Sequence, residues 1–189
     1  MRELSLHILD IAHNSIAAKA ETLRIAIIED IENDQLTIRI KDDGRGMDET
    51  TLKRVVDPFY TTRTTRKVGL GIPMFKAAAE QCGGEFEIKS ALGVGTEIDA
   101  IFQHSHIDRV PLGNMTETII TIIMANIDMD LIYTHDINGH KFTLNTKDIK
   151  KTLGDLPINN MDVVIWLKSY INENLLELSK AQGIGAESQ

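Results

Sequence analysis

The sequence predicts an α+β protein: a two-layer α/β sandwich, a mixed sheet with helices on one face, followed by a small C-terminal α/β appendage. Three observations predict it. Residues 3–19 place apolar side chains at helical spacing, Gln35–Lys41 alternates apolar with polar residues, and the Ala-rich run from Ile72 to Cys82 ends on Gly83-Gly84. Helix and strand patterns interleave over residues 1–102, and a second, shorter set fills 103–189. The 189 residues suffice for one large domain, or for one of about 100–150 residues with an appendage.

The first helix carries Leu4, Ile8, Ile11 and Ser15 near helical spacing, and Leu6, Leu9, Ile16 and Ala20 widen the stripe. Thr22–Asp30 and Gln35–Lys41 follow as an antiparallel hairpin, with Leu36, Ile38 and Ile40 alternating and Asn33-Asp34 as the turn. The second strand runs into Asp42-Asp43-Gly44-Arg45-Gly46, and a short helix over about 48–56 stops before Pro58. Residues 57–71 show no period and hold four Thr and three basic residues. A polar loop of that length is more often functional than idle. After the Ala-rich helix, strands at Glu85–Ser90 and Thr96–Phe102 flank Leu92-Gly93-Val94-Gly95. The remainder reads as a helix at about 114–125, strands at 129–135 and 141–145 around Asn138-Gly139, and a closing amphipathic helix at about 161–180. That last helix packs on the appendage's own sheet or serves as a dimer or partner face.

Charge and composition exclude several classes. Twenty Lys and Arg against 28 Asp and Glu leave a net charge of −8, which opposes nucleic acid and anionic membrane as partners. Each half carries −4, so charge draws no domain boundary. Cys82 is the one cysteine, which excludes an internal disulfide or a multi-thiolate metal site and suits a reducing, cytoplasmic setting. The longest apolar-looking stretch, Ile119–Ala125, is too short to span a bilayer.

The chemistry gathers at four places. Asp10 and Asn14 stand four apart on the first helix, so both side chains can face one cleft, and an amide beside a carboxylate suits a hard divalent cation. Asp42-Asp43-Gly44-Arg45-Gly46 ends a strand with two glycines that let the backbone approach a flat ligand; it lacks the regular oxygen donors and the twelfth-position Glu of a calcium loop. Gly69-Leu70-Gly71 precedes a helix and follows Arg63, Arg66 and Lys67, an arrangement able to hold phosphate oxygens. It is neither a dinucleotide fingerprint nor a P-loop. Gly93-Val94-Gly95-Thr96 reads equally as a plain hairpin turn.

In order and context these segments resemble the GHKL ATPase superfamily, which contains DNA gyrase B, the Hsp90 chaperone, histidine kinases and MutL. The resemblance covers about residues 3–102 and implies the Bergerat-type sandwich and a histidine-kinase-like site for ATP and Mg2+. Leu6-His7-Ile8-Leu9-Asp10-Ile11-Ala12-His13-Asn14-Ser15 resembles the family's acid/asparagine helix, which implies Asn14 as the magnesium ligand and Asp10 as the base. Asp42 is similar to the carboxylate that accepts the adenine amino group, with Gly44, Gly46 and the adjoining Met47 shaping the base pocket. Asp57-Pro58-Phe59-Tyr60-Thr61-Thr62-Arg63 resembles the opening of a sensor-kinase lid, so Phe59, Thr61, Thr62, Arg63 and Lys67 fall in the nucleotide-binding set. Gly69, Leu70 and Gly71 resemble the phosphate-contacting end of that lid, and Thr96 the residue supporting Asp42 and the adenine-bound water.

The sequence departs from the family at Asp10, where hydrolysing members have glutamate, one methylene longer. The first family helix begins within a few residues of Met1, so self-phosphorylation on an upstream histidine helix is not expected. Three functions stay open on these residues: a regulatory protein that phosphorylates or clasps a separate protein, a slow ATPase with Asp10 as general base, and a non-catalytic module whose binding surface nucleotide changes.

Overall fold

The computed structural model describes residues 3–56 and 70–181. Helix α1 (Leu4–Ala17) leads into the hairpin β1 (Thr22–Asp30) and β2 (Gln35–Asp42), then α2 (Glu49–Val55), α3 (Gly71–Gln81), β3 (Glu85–Ala91) and β4 (Gly95–Gln103). The second half adds α4 (Met115–Ala125), β5 (Asp130–Ile137), β6 (His140–Asn145), α5 (Thr146–Leu153) and α6 (Met161–Ala181). Every expected element among the described residues is present, with ends moved by a residue or two. Helix α5 is the addition. Its stretch offers only Ile149 and Leu153 as large apolar positions, one turn apart, so its period is too weak to read.

One six-stranded mixed sheet runs β3-β4-β2-β1-β5-β6. Strands β1 and β2 pair antiparallel from Leu23↔Asp42 to Asp30↔Gln35, and β2 pairs with β4 from Gln35↔Gln103 to Asp42↔Thr96. The alternation puts Leu23, Ile25, Ile27, Leu36, Ile38, Ile40, Ile98, Ala100 and Phe102 on one buried face. Helices α1, α3, α4 and α6 cover it through Leu4, Ile8, Phe75, Ile119, Leu167 and other residues of the same core. The opposite face carries ion pairs between neighbouring strands, Arg39–Asp99 and Lys41–Glu97.

Residues 103–189, expected as a small appendage, add both their strands to that sheet. Strand β5 lies parallel to β1 from Thr22↔Asp130 to Glu29↔Ile137, and α4 packs on α1. Helix α1 has no side-chain cap; instead the Leu4 and Ser5 amides donate to the Pro111 and Leu112 carbonyls at 3.0 and 2.8 Å. At the far end of β1, Glu29 joins three segments. Its Oε1 accepts from His135 Nε2 at 2.7 Å and its Oε2 from His104 Nε2 at 2.9 Å. On the other side of the His135 ring, Nδ1 lies 2.9 Å from the hydroxyl oxygen of the buried Tyr133. His104 and His106 lie beyond the end of β4.

Candidate functional site

The site forms where β2, the β3–β4 turn and the C-terminal half of α1 meet. Asp42, the last residue of β2, points to the helical face and is 8% exposed. Its Oδ2 accepts from Ser15 Oγ at 2.7 Å and its Oδ1 from the Gly44 amide at 2.9 Å. A carboxylate has about four lone-pair positions, so Asp42 is held in place with capacity to accept from a further donor. Its neighbour Asp43 faces elsewhere. Asp43 Oδ1 accepts from the Glu21 and Thr22 amides, both at 2.8 Å, which ties the loop to the start of β1. Burial alone would raise the Asp43 pKa, but these amide donors hold it below the usual value.

Thr96 sits opposite Asp42 in the β2–β4 register, and its hydroxyl lies 2.9 Å from Ser90 Oγ. Ser90 also accepts from the Met47 amide and donates to the Gly95 carbonyl, each at 2.9 Å. The loop after Asp42 is thereby fastened to both strands of the neighbouring hairpin. Two glycines permit this. Gly46 has φ +66° and a Cβ there would stand 1.9 Å from the Ala91 carbonyl oxygen; Gly95 has φ +117° and its Cβ would stand 2.0 Å from that of Asp42. At Gly44 a Cβ would meet Ala18 at 2.9 Å. What these glycines admit is close approach of protein backbone and of the end of α1.

Asp10 and Asn14 are exposed on one side of α1, while Ile8, Ile11, Ala12 and Ser15 face the interior. Asp10 abuts the start of α3: a Cβ on Gly71 would lie 3.1 Å from Asp10 Cβ and 3.4 Å from its Oδ2. Leu70, at the cap of α3, makes no side-chain cap hydrogen bond and is exposed. The N-terminus of α3 thus lies beside Asp10, and the amides of a helix N-terminus are the donors that phosphate oxygens accept from. The two oxygen-bearing side chains of Asp10 and Asn14 suit magnesium, which keeps several waters and takes phosphate oxygens to complete its shell. No cluster of three acidic, His or Cys side chains able to hold a metal occurs among the described residues. The remaining expected site residues, Phe59, Thr61, Thr62, Arg63, Lys67 and Gly69, lie outside the described residues.

Sequence reasoning missed Ser15 as a site residue, placing it in the apolar stripe of α1; a hydroxyl among aliphatic positions is the signal that could have found it. It missed Ser90 for want of any local signal, since a serine in an alternating strand is ordinary.

A sequence model of the family described as histidine kinase-, DNA gyrase B-, and HSP90-like ATPase matches residues 1–106. A sensor protein of Shewanella frigidimarina is 42% identical over 79 residues, which are 41% of this chain and 12% of that protein. Sporulation kinase E of Bacillus subtilis is 41% identical over 69 residues, 36% of this chain and 9% of the kinase. The chain thus matches about a tenth of the length of these curated relatives. Among solved structures, the Aquifex aeolicus MutL ATPase domain complexed with ADP aligns with a TM-score of 0.50 at 14% identity, covering 92% of this chain and 88% of that one. The N-terminal domain of a DNA repair protein gives 0.51 at 13%, covering 82% and 58%. At such identities the likeness is one of fold.

Proposed function

This chain belongs to the histidine kinase-, DNA gyrase B-, and HSP90-like ATPase family, and from that premise we propose that it binds Mg-ATP in the cytoplasm and uses it to phosphorylate, or to hold in a nucleotide-dependent way, a separate protein. The observation that carries this reading is Asp42: a buried carboxylate fixed by Ser15 and the Gly44 amide, with acceptor capacity left for the amino group of adenine. The helix that supplies Ser15 also carries Asn14 and sets Asp10 beside the start of α3.

Each residue then has a defined task. Asp42 accepts the adenine amino hydrogen. Gly46 and Gly95 keep the loop and the β3–β4 turn close to that carboxylate, and Met47, fastened through Ser90, lines the base. Asn14 would hold the magnesium beside Asp10; bound there, the ion neutralises charge on the phosphates. The α3 amides around Leu70 and Gly71 take phosphate oxygens, with Arg63 and Lys67 as further cations. Asp10 orients the attacking hydroxyl of the protein substrate and takes its proton, a role that needs hydrogen-bond reach to that hydroxyl. In a second reading water replaces the hydroxyl and the chain is a slow ATPase. The exposure of Asp10 favours keeping it, because solvent reaches that side of α1.

Isothermal titration with Mg-ATP, followed by timed phosphate release from the same samples, tests the reading. Asp42→Asn should weaken binding about tenfold or more, the worth of a charge-assisted hydrogen bond; unchanged affinity would refute the pocket. Asp10→Asn should spare binding and abolish turnover. Binding without phosphate release directs the search to a protein acceptor, and steady release identifies the ATPase.

A further inference from the structure

Ser90 Oγ stands at the centre of three short contacts. It meets the Met47 amide, the Gly95 carbonyl oxygen and Thr96 Oγ1, each at 2.9 Å. The hydrogens available fix the direction of all three. Two oxygens this close need a hydrogen between them, and the Gly95 carbonyl has none to give. The single hydroxyl hydrogen of Ser90 therefore goes to Gly95. The contact with Thr96 then needs the Thr96 hydrogen, so Thr96 donates to Ser90. With one hydrogen given and two accepted, Ser90 is filled, and Thr96 Oγ1 keeps only lone pairs for a ligand.

Thr96 faces Asp42 across the β2–β4 ladder, so both side chains stand on the helical face, with Cβ atoms about 5 Å apart. The Asp42 carboxylate, which accepts from the Gly44 amide and the Ser15 hydroxyl, has only further acceptor capacity to offer. The two side chains thus present adjacent acceptors to whatever enters the site. We propose that Ser90 is a positioning residue for base selection: by taking the Thr96 hydrogen it makes Thr96 an acceptor, and the pocket then takes the 6-amino edge of a purine and rejects a 6-oxo edge. An amino group brings two hydrogens, whereas a ring carbonyl sets lone pairs against lone pairs. A water standing between Thr96 and the base must also give Thr96 a hydrogen. The inference rests on the Mg-ATP reading of the Asp42 site and adds to it the source of selectivity, a β3 serine whose own hydroxyl is fully engaged within the protein.

The test measures Kd for Mg-ATP and for Mg-ITP, its 6-oxo analogue, by isothermal titration on the full chain and on Ser90→Ala. The natural chain should bind ATP about tenfold or more tightly than ITP. In Ser90→Ala the freed Thr96 hydroxyl can donate to a carbonyl, and the preference should fall about fivefold, the worth of one neutral hydrogen bond. Loss of the Met47 anchor alone would weaken both nucleotides together and leave their ratio unmoved, and that result overturns the proposal. Neutron diffraction of the deuterium-exchanged natural chain without nucleotide needs no variant. The Thr96 deuteron should lie on the line to Ser90 Oγ and the Ser90 deuteron on the line to the Gly95 oxygen. A Ser90 deuteron directed at Thr96 overturns the proposal even if Ser90→Ala does not fold. A natural chain that binds neither nucleotide would overturn the Mg-ATP reading and this inference with it, whereas ATP binding with an unmoved ratio overturns this inference alone.

Discussion

Asp42 and Asp43 show how adjacent identical residues divide tasks. Asp43 is consumed by the Glu21 and Thr22 amides, whereas Asp42 turns to the helical face and meets Ser15. Ser15→Ala should leave the fold intact by circular dichroism and lower Mg-ATP affinity about five- to tenfold, since roughly 1 kcal/mol of orientation is lost with the hydroxyl. Equal affinity would mean that the Gly44 amide suffices to hold the carboxylate. Gly95→Ala acts differently. Its Cβ would lie 2.0 Å from the Asp42 carbonyl, at φ +117°, so β2 and β4 must separate where the site begins. We expect a stability loss of about 2 kcal/mol or more by urea denaturation. The Asp42 motif was legible because strand, turn and glycines are contiguous; Ser90 was not, because its partners Met47 and Thr96 are brought to it by the sheet.

Among elements, β1 is the one on which the molecule turns. Strand β2 binds one of its edges and β5 the other, and Glu29 at its end holds His135 of β5 and His104 of the segment after β4. Burial alone would raise the Glu29 pKa, but the hydrogen bonds and charge of His135 and His104 bring it below the ordinary 4.5. A carboxylate with a lowered folded pKa contributes its full stability above the unfolded value and loses it as pH falls through the folded one. Glu29→Gln should therefore cost about 1–3 kcal/mol at pH 7, and the gap between variant and natural chain should narrow below about pH 4. Urea denaturation at pH 7 and pH 3 checks both; a gap constant with pH would remove the charge from the explanation. The strands here were legible from alternation. Their partners were not, because a parallel neighbour of β1 more than a hundred residues away in sequence leaves no local trace.

For the whole molecule, one sheet and one helical layer join the two halves. The division at 102/103 remains a proposal about organisation, and truncation tests it. A chain ending at Gln103 exposes the β1 edge that β5 covers and strips α4 from α1. It also removes the Pro111 and Leu112 carbonyls that satisfy the start of α1. We expect the full chain to unfold in one transition and the truncated chain to lack a cooperative transition; independent folding of 1–103 would establish the division.

The sequence by itself determined the period of nearly every element, the Asp10/Asn14 face of α1 and the strand-ending Asp42 with its glycines, because each is set by neighbours within a turn or a hairpin. Tertiary structure decided the rest. Asp42 gains its fixed geometry from Ser15, 27 residues away, and β5 gains its place from β1. Ser90 becomes the peg between loop and turn only once β3 and β4 pair. These choices depend on which buried faces meet, and a local pattern records that a face is apolar without recording what it will be packed against.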